Sequence, residues 1–177
     1  IELYDKTCGI FGLGAIGFAF AKMAQGFGMR VISYSRHKKT DPKYDFIEQV
    51  DFDTLLAESD VISIHAPLTP STEDTFDADA FAKMKDGTIL INTARGGLIV
   101  EEALVDALQS GKVYGAGLDV IRDEPPKGDN PLLHQDNAAI TAHIAWLTRA
   151  SRLRAIDIAI DNFKAYLRGE PVSVINK

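Results

Sequence analysis

The segment Cys8-Gly9-Ile10-Phe11-Gly12-Leu13-Gly14-Ala15-Ile16-Gly17 restricts the folds open to this chain more than any other stretch. A short apolar run leads directly into the spacing G-x-G-x-x-G, and a helical pattern leaves it. Gly12 allows a tight turn, Gly14 lets a ligand come close to the backbone, and Gly17 lets the following helix pack against the strand. The N-terminus of that helix offers N–H groups and a partial positive charge to phosphate. Strand, glycine turn and helix in this order point to dinucleotide binding, set against the plainer reading of a turn that serves packing alone.

The rest of the chain repeats the alternation. Apolar runs at residues 8–11, 31–34, 61–64, 88–92, 114–120 and 138–141 suit strands buried on both faces of a parallel sheet. Ile16, Phe20, Met23 and Phe27 recur at helical spacing over 15–27, and Gly28 ends the pattern. Residues 101–110 read as a helix with acid in its first turn and Gly111 beyond its end. The longest helix is expected over 148–167, with Leu153, Ile156, Ile160, Phe163 and Leu167 as its buried stripe and Gly169 and Pro171 as its stop. The sum is an α/β fold, a Rossmann-type doubly wound parallel sheet of about six strands. The loop over 121–137 is long and rich in Pro, Asp and Asn, and such loops are often functional.

Composition bounds the function. A chain of 177 residues, 46% hydrophobic, suffices for one domain with a real core. With no initiator Met, residues 1–177 are expected to be a dinucleotide-binding domain cut from a longer protein. The 25 acidic residues outnumber the 19 basic ones, which argues against nucleic acid or an anionic membrane as partner. No apolar run approaches the ~18 residues of a membrane span. The single cysteine, Cys8, allows no disulfide within the chain and fits a cytoplasmic protein. The four histidines show no metal-ligand spacing, so no metal is expected.

Ligands of open α/β sheets sit beyond the carboxyl ends of the strands. At the end of the second strand, where an acid would bond the ribose 2′-hydroxyl of NAD, stand Ser35 and Arg36. These two could accept a 2′-phosphate, or form a solvated basic turn beside a site that still takes NAD. NAD or NADP is therefore the expected cofactor, with NADP permitted. Later strand ends carry Asn92-Thr93-Ala94-Arg95-Gly96-Gly97, then Asp119 followed by Glu124, then His143. Alone, each is ambiguous: an Arg is most often surface charge, a Glu solvated, a His structural. Together beside a nucleotide loop, they fit reduction of a keto acid. Arg95 offers a planar fork of donors to a carboxylate and its adjacent carbonyl. His143 can exchange a proton with the carbonyl oxygen, and Glu124 could hold the imidazole and raise its pKa. Asp119 either bonds the nicotinamide carboxamide or caps its loop. His65 has a structural or cofactor-contact role, His37 and His134 are solvated, and Trp146 shapes the cleft or packs at a dimer interface. The candidate cofactor-binding set is Gly12, Gly14, Ala15, Ile16, Gly17, Ser35, Arg36, His65, Ala66, Pro67, Thr93, Ala94 and Asp119; the catalytic set is Arg95, Glu124 and His143.

These motifs, with His65-Ala66-Pro67-Leu68-Thr69, Gly117-Leu118-Asp119-Val120, Glu124-Pro125 and His143-Ile144-Ala145-Trp146 in that order, resemble the NAD-binding domain of the D-isomer-specific 2-hydroxyacid dehydrogenases. The resemblance covers nearly the whole chain. It implies that Arg95 binds substrate, His143 is the acid/base and Glu124 orients His143. It also implies a homodimer built largely through this domain, and a substrate domain supplied mostly by sequence before Ile1, with residues 171–177 leading back towards it. Glu124-Pro125-Pro126-Lys127, Asn130-Pro131-Leu132-Leu133 and Tyr34-Ser35-Arg36-His37 are similar to the glycerate dehydrogenase, or hydroxypyruvate reductase, branch. Ala150 departs from that branch, where an acid is common. The implied activity is hydride transfer between NAD(P)H and a small 2-keto or 2-hydroxy acid, hydroxypyruvate and D-glycerate first. Lactate, glyoxylate or phosphoglycerate dehydrogenases, and the dinucleotide-sensing corepressors of the same fold, are the alternatives. The domain by itself is expected to be inactive, because one wall of the cleft is missing and water is not excluded.

Overall fold

The strand β1 (Thr7–Phe11) is buried at all five positions, as an interior strand of a two-faced sheet must be. In the computed structural model, which describes residues 1–175, it pairs in parallel with β2 (Arg30–Tyr34) on one edge and β4 (Val61–Ile64) on the other. With β3 (Glu48–Gln49), β5 (Thr88–Asn92), β6 (Val113–Leu118) and β7 (Ala138–Ile140), the sheet runs β3-β2-β1-β4-β5-β6-β7, every pair parallel. The helices are α1 (Ala15–Gly26), α2 (Phe52–Glu58), α3 (Ala78–Lys83), α4 (Glu101–Gln109) and α5 (Arg149–Leu167). The strand count is seven where six apolar runs were legible. The extra strand, β3, is two polar residues on the sheet edge, too short to carry a pattern.

Alternation along β1 divides the core. Cys8 and Ile10 face the cluster that contains Leu13, Ala21 and Ala24 of the glycine turn and α1. Phe11 faces the larger cluster with Leu55, Leu56, Leu90, Leu98 and Leu104. The apolar stripe that marks α1 in the sequence is not the face it buries. The buried residues are Gly17, Ala21 and Ala24, whereas Ile16, Met23 and Phe27 are exposed. Small side chains bring this helix close to β1, and a Cβ at Gly17 would overlap the Gly12 carbonyl. Gly28, Gly111 and Gly169 all carry positive φ just past the helices they end.

Two compact units form, Ile1–Ala142 with the whole sheet and a second beginning at His143. Within the second, Thr148 caps α5 by accepting the Ser151 N–H at 3.1 Å. The stripe expected to be buried, Leu153, Ile156, Ile160, Phe163 and Leu167, is instead 46–67% exposed. Helical periodicity marks a face but not what covers it, and in this chain that face is open. Asn176 and Lys177 lie outside the described residues, so the expected return of 171–177 towards another domain falls partly outside them. No helix among the described residues is long and apolar enough to cross a membrane.

Phe76 is fully buried and stands edge-on to Phe11 and Phe52, with ring centroids 5.1 and 5.7 Å away. Phe76→Ala is expected to lower stability by about 3–5 kcal/mol. Urea unfolding checks this: the midpoint should fall with an unchanged m value, and a loss below about 1 kcal/mol would contradict the packing described.

Candidate functional site

Between β1 and β4 the strand order reverses, and beyond the carboxyl ends of β1, β2 and β4 opens a cavity of about 560 Å³. The glycine turn forms one wall. Gly12 has φ +99°, and a Cβ there would collide with the backbone of Ala66 on the β4 exit. Its N–H donates to the Tyr34 carbonyl at 2.9 Å, and the Leu13 N–H donates to Ser35 Oγ at 2.7 Å, so two bonds hang the turn from the end of β2. Gly14 caps α1 without any side-chain bond to its first turn. A helix begun this way leaves its first N–H groups without intrahelical partners. A Cβ on Gly14 would meet no atom within 4 Å, so the approach to those groups is open. A dinucleotide pyrophosphate therefore fits here.

Seven of the expected cofactor residues line the cavity: Gly12, Gly14, Ser35, Arg36, His65, Ala66 and Pro67. Ala15, Ile16 and Gly17 open α1 behind the turn and do not line it. The His65 N–H donates to Phe11 O at 2.7 Å, and its Nε2 lies 2.9 Å from Ser63 Oγ. Its ring packs 5.2 Å from that of Phe20. Burial pushes the imidazole pKa down to about 4, so His65 is neutral near pH 7 and serves as wall rather than charge. Sequence reasoning missed the next segment. Thr69, Ser71, Thr72 and Thr75 bring four hydroxyls to the cavity. The turn is knit by Thr72 Oγ1, which donates to Pro67 O at 2.7 Å and accepts the Thr69 N–H at 2.8 Å. Density of hydroxyls just after a strand was the available signal. His37, read as solvated, is exposed but also lines the cavity.

The other strand ends lie further along the same sheet edge. Buried Asn92 clamps the turn after β5: its Oδ1 accepts the Ala94 N–H and its Nδ2 donates to Arg95 O, both at 2.9 Å. Arg95 stands exposed on that turn, with Nη1 donating to Ala94 O at 2.6 Å. Thr93 and Ala94 share the turn and are not part of the cavity lining. Gly96 then passes so close to the next loop that a Cβ would overlap the Ile121 carbonyl. This contact sets Arg95 and Glu124 on adjoining loops, and Glu124 Oε1 accepts the Ile121 N–H at 3.3 Å. The long loop is pinned rather than slack. Arg122 is paired with Asp74, its N–H donates to Glu101 Oε1 at 2.6 Å, and Asn130 donates to Glu101 Oε2 at 2.8 Å. Glu101, legible only as an acid in a helix's first turn, is thus a loop anchor. Asp119 is buried, accepts the Thr141 hydroxyl and donates its own N–H to Asn92 O at 2.9 Å, which ties the ends of β5, β6 and β7 together. His143 is the first residue of the second unit, exposed and with φ 56°.

The family profile described as D-isomer specific 2-hydroxyacid dehydrogenase, NAD binding domain, matches residues 1–145. A hydroxypyruvate reductase of Blautia hydrogenotrophica is 51% identical over 177 residues, which is 100% of this chain and 55% of that protein. An acyclic imino acid reductase solved with NADPH and D-Arg superposes with a TM-score of 0.91 at 36% identity, over 99% of this chain and 55% of the other. A D-lactate dehydrogenase of Lactobacillus jensenii solved with NAD+ gives 0.90 at 34%, over 100% and 57%. The chain thus spans little more than half the length of the relatives it matches.

The depressed His65 pKa carries a sign. The unfolded chain binds a proton at this histidine below its ordinary pKa of 6.5, and the folded chain resists until about 4. Its contribution to stability is therefore full above about 6.5 and lost as pH falls towards 4. Thermal midpoints of the wild type and His65→Gln across pH 4–7 check this: the wild type should lose more on acidification, and parallel curves would contradict it.

Proposed function

The chain belongs to the D-isomer specific 2-hydroxyacid dehydrogenase family, and we propose that the whole protein transfers a hydride between NAD(P)H and a small 2-keto or 2-hydroxy acid, with hydroxypyruvate and D-glycerate as the preferred pair. The observation that carries the reading is the Gly96–Ile121 contact. It holds Arg95 and Glu124 on adjoining loops at the sheet edge where the dinucleotide cavity opens. The preference for hydroxypyruvate rests on likeness to the reductase of that name.

A dinucleotide held at the glycine turn would supply hydride chemistry to the carbonyl carbon, or to the hydroxy acid in the reverse direction. The chain supplies orientation and protons. Arg95 grips the carboxylate and polarises the adjacent carbonyl oxygen through its planar donors. His143 gives the carbonyl oxygen its proton, and Glu124 holds the imidazole in the right tautomer. The glycine turn and the first turn of α1 hold the pyrophosphate. Asp119 ties the ends of β5, β6 and β7 together and, in this reading, bonds the nicotinamide carboxamide.

A substrate domain outside these residues completes the cleft and excludes water, so residues 1–177 bind dinucleotide without turnover. The protein works as a cytoplasmic homodimer in this reading. Support for the dimer comes from the open apolar stripe of α5, in which Ile156 and Phe163 are 55% and 62% exposed. Support for a reducing compartment comes from Cys8, the single cysteine, which leaves no disulfide within the chain.

Hydroxypyruvate reduction by the full-length protein, followed through dinucleotide absorbance, tests the assignment. His143→Ala should lower kcat by roughly 10²–10⁴-fold and leave dinucleotide affinity unchanged. Arg95→Ala should lower kcat/KM for the keto acid. An undiminished kcat in the His143 variant would overturn the proposed role.

A further inference from the structure

The loop that carries Glu124 is clasped at both ends by one carboxylate. Glu101, at the start of α4, accepts the Arg122 N–H on Oε1 at 2.6 Å and the Asn130 side-chain amide on Oε2 at 2.8 Å. Glu124 lies inside the segment so closed, and its Oε1 folds back to accept the Ile121 N–H at 3.3 Å. The near end of the loop is therefore the frame to which that carboxylate is referred. The Arg122 side chain ties this end a second time. Its Nη2 donates to the Asp74 carboxylate and, at 3.2 Å, to the Ile99 carbonyl. One guanidinium thus joins the turn after β4, the chain just past Arg95 and the Glu124 loop.

Asp74 is itself part of the segment that walls the cavity. It stands between Thr72 and Thr75, which both line that space, and its N–H donates to the Gly97 carbonyl at 3.0 Å. Its φ is 52°, in the left-handed region where an L side chain is costly and glycine is not. Stability gives no reason to keep an aspartate there. With side chains 37% and 49% exposed, the Arg122–Asp74 pair is screened by water and adds little. Glycine would relieve the backbone and lose only that pair. What the carboxylate does, and glycine cannot, is fix Arg122 two residues before Glu124. A left-handed aspartate held in a half-open ion pair is a constraint that serves a site rather than the fold.

We propose that Arg122 and Asp74 are positioning residues for the reaction: through them, the wall of the dinucleotide cavity sets where the Glu124 carboxylate stands. The inference rests on the reading of Glu124 given above. Neither Arg122 nor Asp74 lines the cavity, so both act through Glu124. Displacing a group in the proton-transfer chain by about 1 Å costs up to about a hundredfold in rate. The pyrophosphate end is held by other bonds, those that hang the glycine turn from β2, so dinucleotide affinity is independent of the pair.

Steady-state reduction of hydroxypyruvate by the full-length protein at saturating dinucleotide tests this, with dinucleotide affinity and thermal midpoint measured in parallel. Asp74→Gly is the primary variant, because it removes the carboxylate and relieves the backbone together. Its thermal midpoint should stay within about 3 °C and its dinucleotide affinity within about twofold, while kcat falls at least about tenfold. Arg122→Ala should lower kcat to a similar degree, and Arg122→Lys should recover part of the loss. Glu124→Gln should lower kcat at least as much. Adding Arg122→Ala to it should cost less than about twofold more, since both changes act through one group. Unchanged kcat in Asp74→Gly and Arg122→Ala, beside an impaired Glu124→Gln, would overturn the positioning role and leave the reading of Glu124 standing. Losses that multiply in the Arg122→Ala/Glu124→Gln variant, or equal losses of kcat and dinucleotide affinity in Asp74→Gly, would do the same. An undiminished kcat in Glu124→Gln, or a wild type that turns over neither hydroxypyruvate, glyoxylate nor pyruvate, would overturn that reading and the inference with it.

Discussion

The site depends on one close approach of main chain to main chain. Gly12, at positive φ, lies so near the β4 exit at Ala66 that any side chain would force them apart. Gly17 of α1 is as close to the Gly12 carbonyl. Three segments, the turn after β1, the start of α1 and the loop after β4, are therefore gathered at the point where strand order reverses. A cavity at such a point is open to ligand because the flanking connections leave on opposite sides. Here its mouth is finished with backbone N–H groups on one wall and hydroxyls on the other.

The core and the cavity share residues. Phe11 belongs to the larger hydrophobic cluster and also lines the cavity, as Phe52 does beside it. Their rings lie 5.5 Å apart, and Tyr34, which accepts the Gly12 N–H through its carbonyl, stacks on Phe11 at 5.7 Å. The floor of the cavity is thus part of the packed interior. The loops that carry Arg95 and Glu124 are fixed differently, by polar ties through Asn92, Asp119 and Glu101. Close packing holds the nucleotide end, and satisfied hydrogen bonds hold the end where Arg95 and Glu124 stand.

Much of this was legible in the sequence, for identifiable reasons. The glycine turn and the interior strands were readable because glycine spacing and continuous apolar runs each answer to one geometric demand. The two-residue β3 was not, because two polar residues form no pattern, yet its Gln49 anchors the cationic turn at Lys39. The exposed stripes of α1 and α5 show the same limit: period locates an amphipathic face, whereas burial depends on what packs against it. Nor could spacing reveal that Glu101 holds Arg122 and Asn130, or that Ser71 reaches Arg36, since both are contacts between loops distant in sequence. Ser35 and Arg36 were visible as an oddity at the end of β2. Their partners, the Leu13 N–H for Ser35 and the Ser71 hydroxyl for Arg36, left no mark in the sequence.

A crystal structure of the protein with ADP-ribose bound is the most direct test that this cavity is the dinucleotide site. The pyrophosphate oxygens should lie within about 3.2 Å of the N–H groups that follow Gly14, with the adenosine ribose beside Ser35. A diphosphate bound anywhere but at the glycine turn, with the space between the ends of β1 and β4 left to solvent, would contradict it.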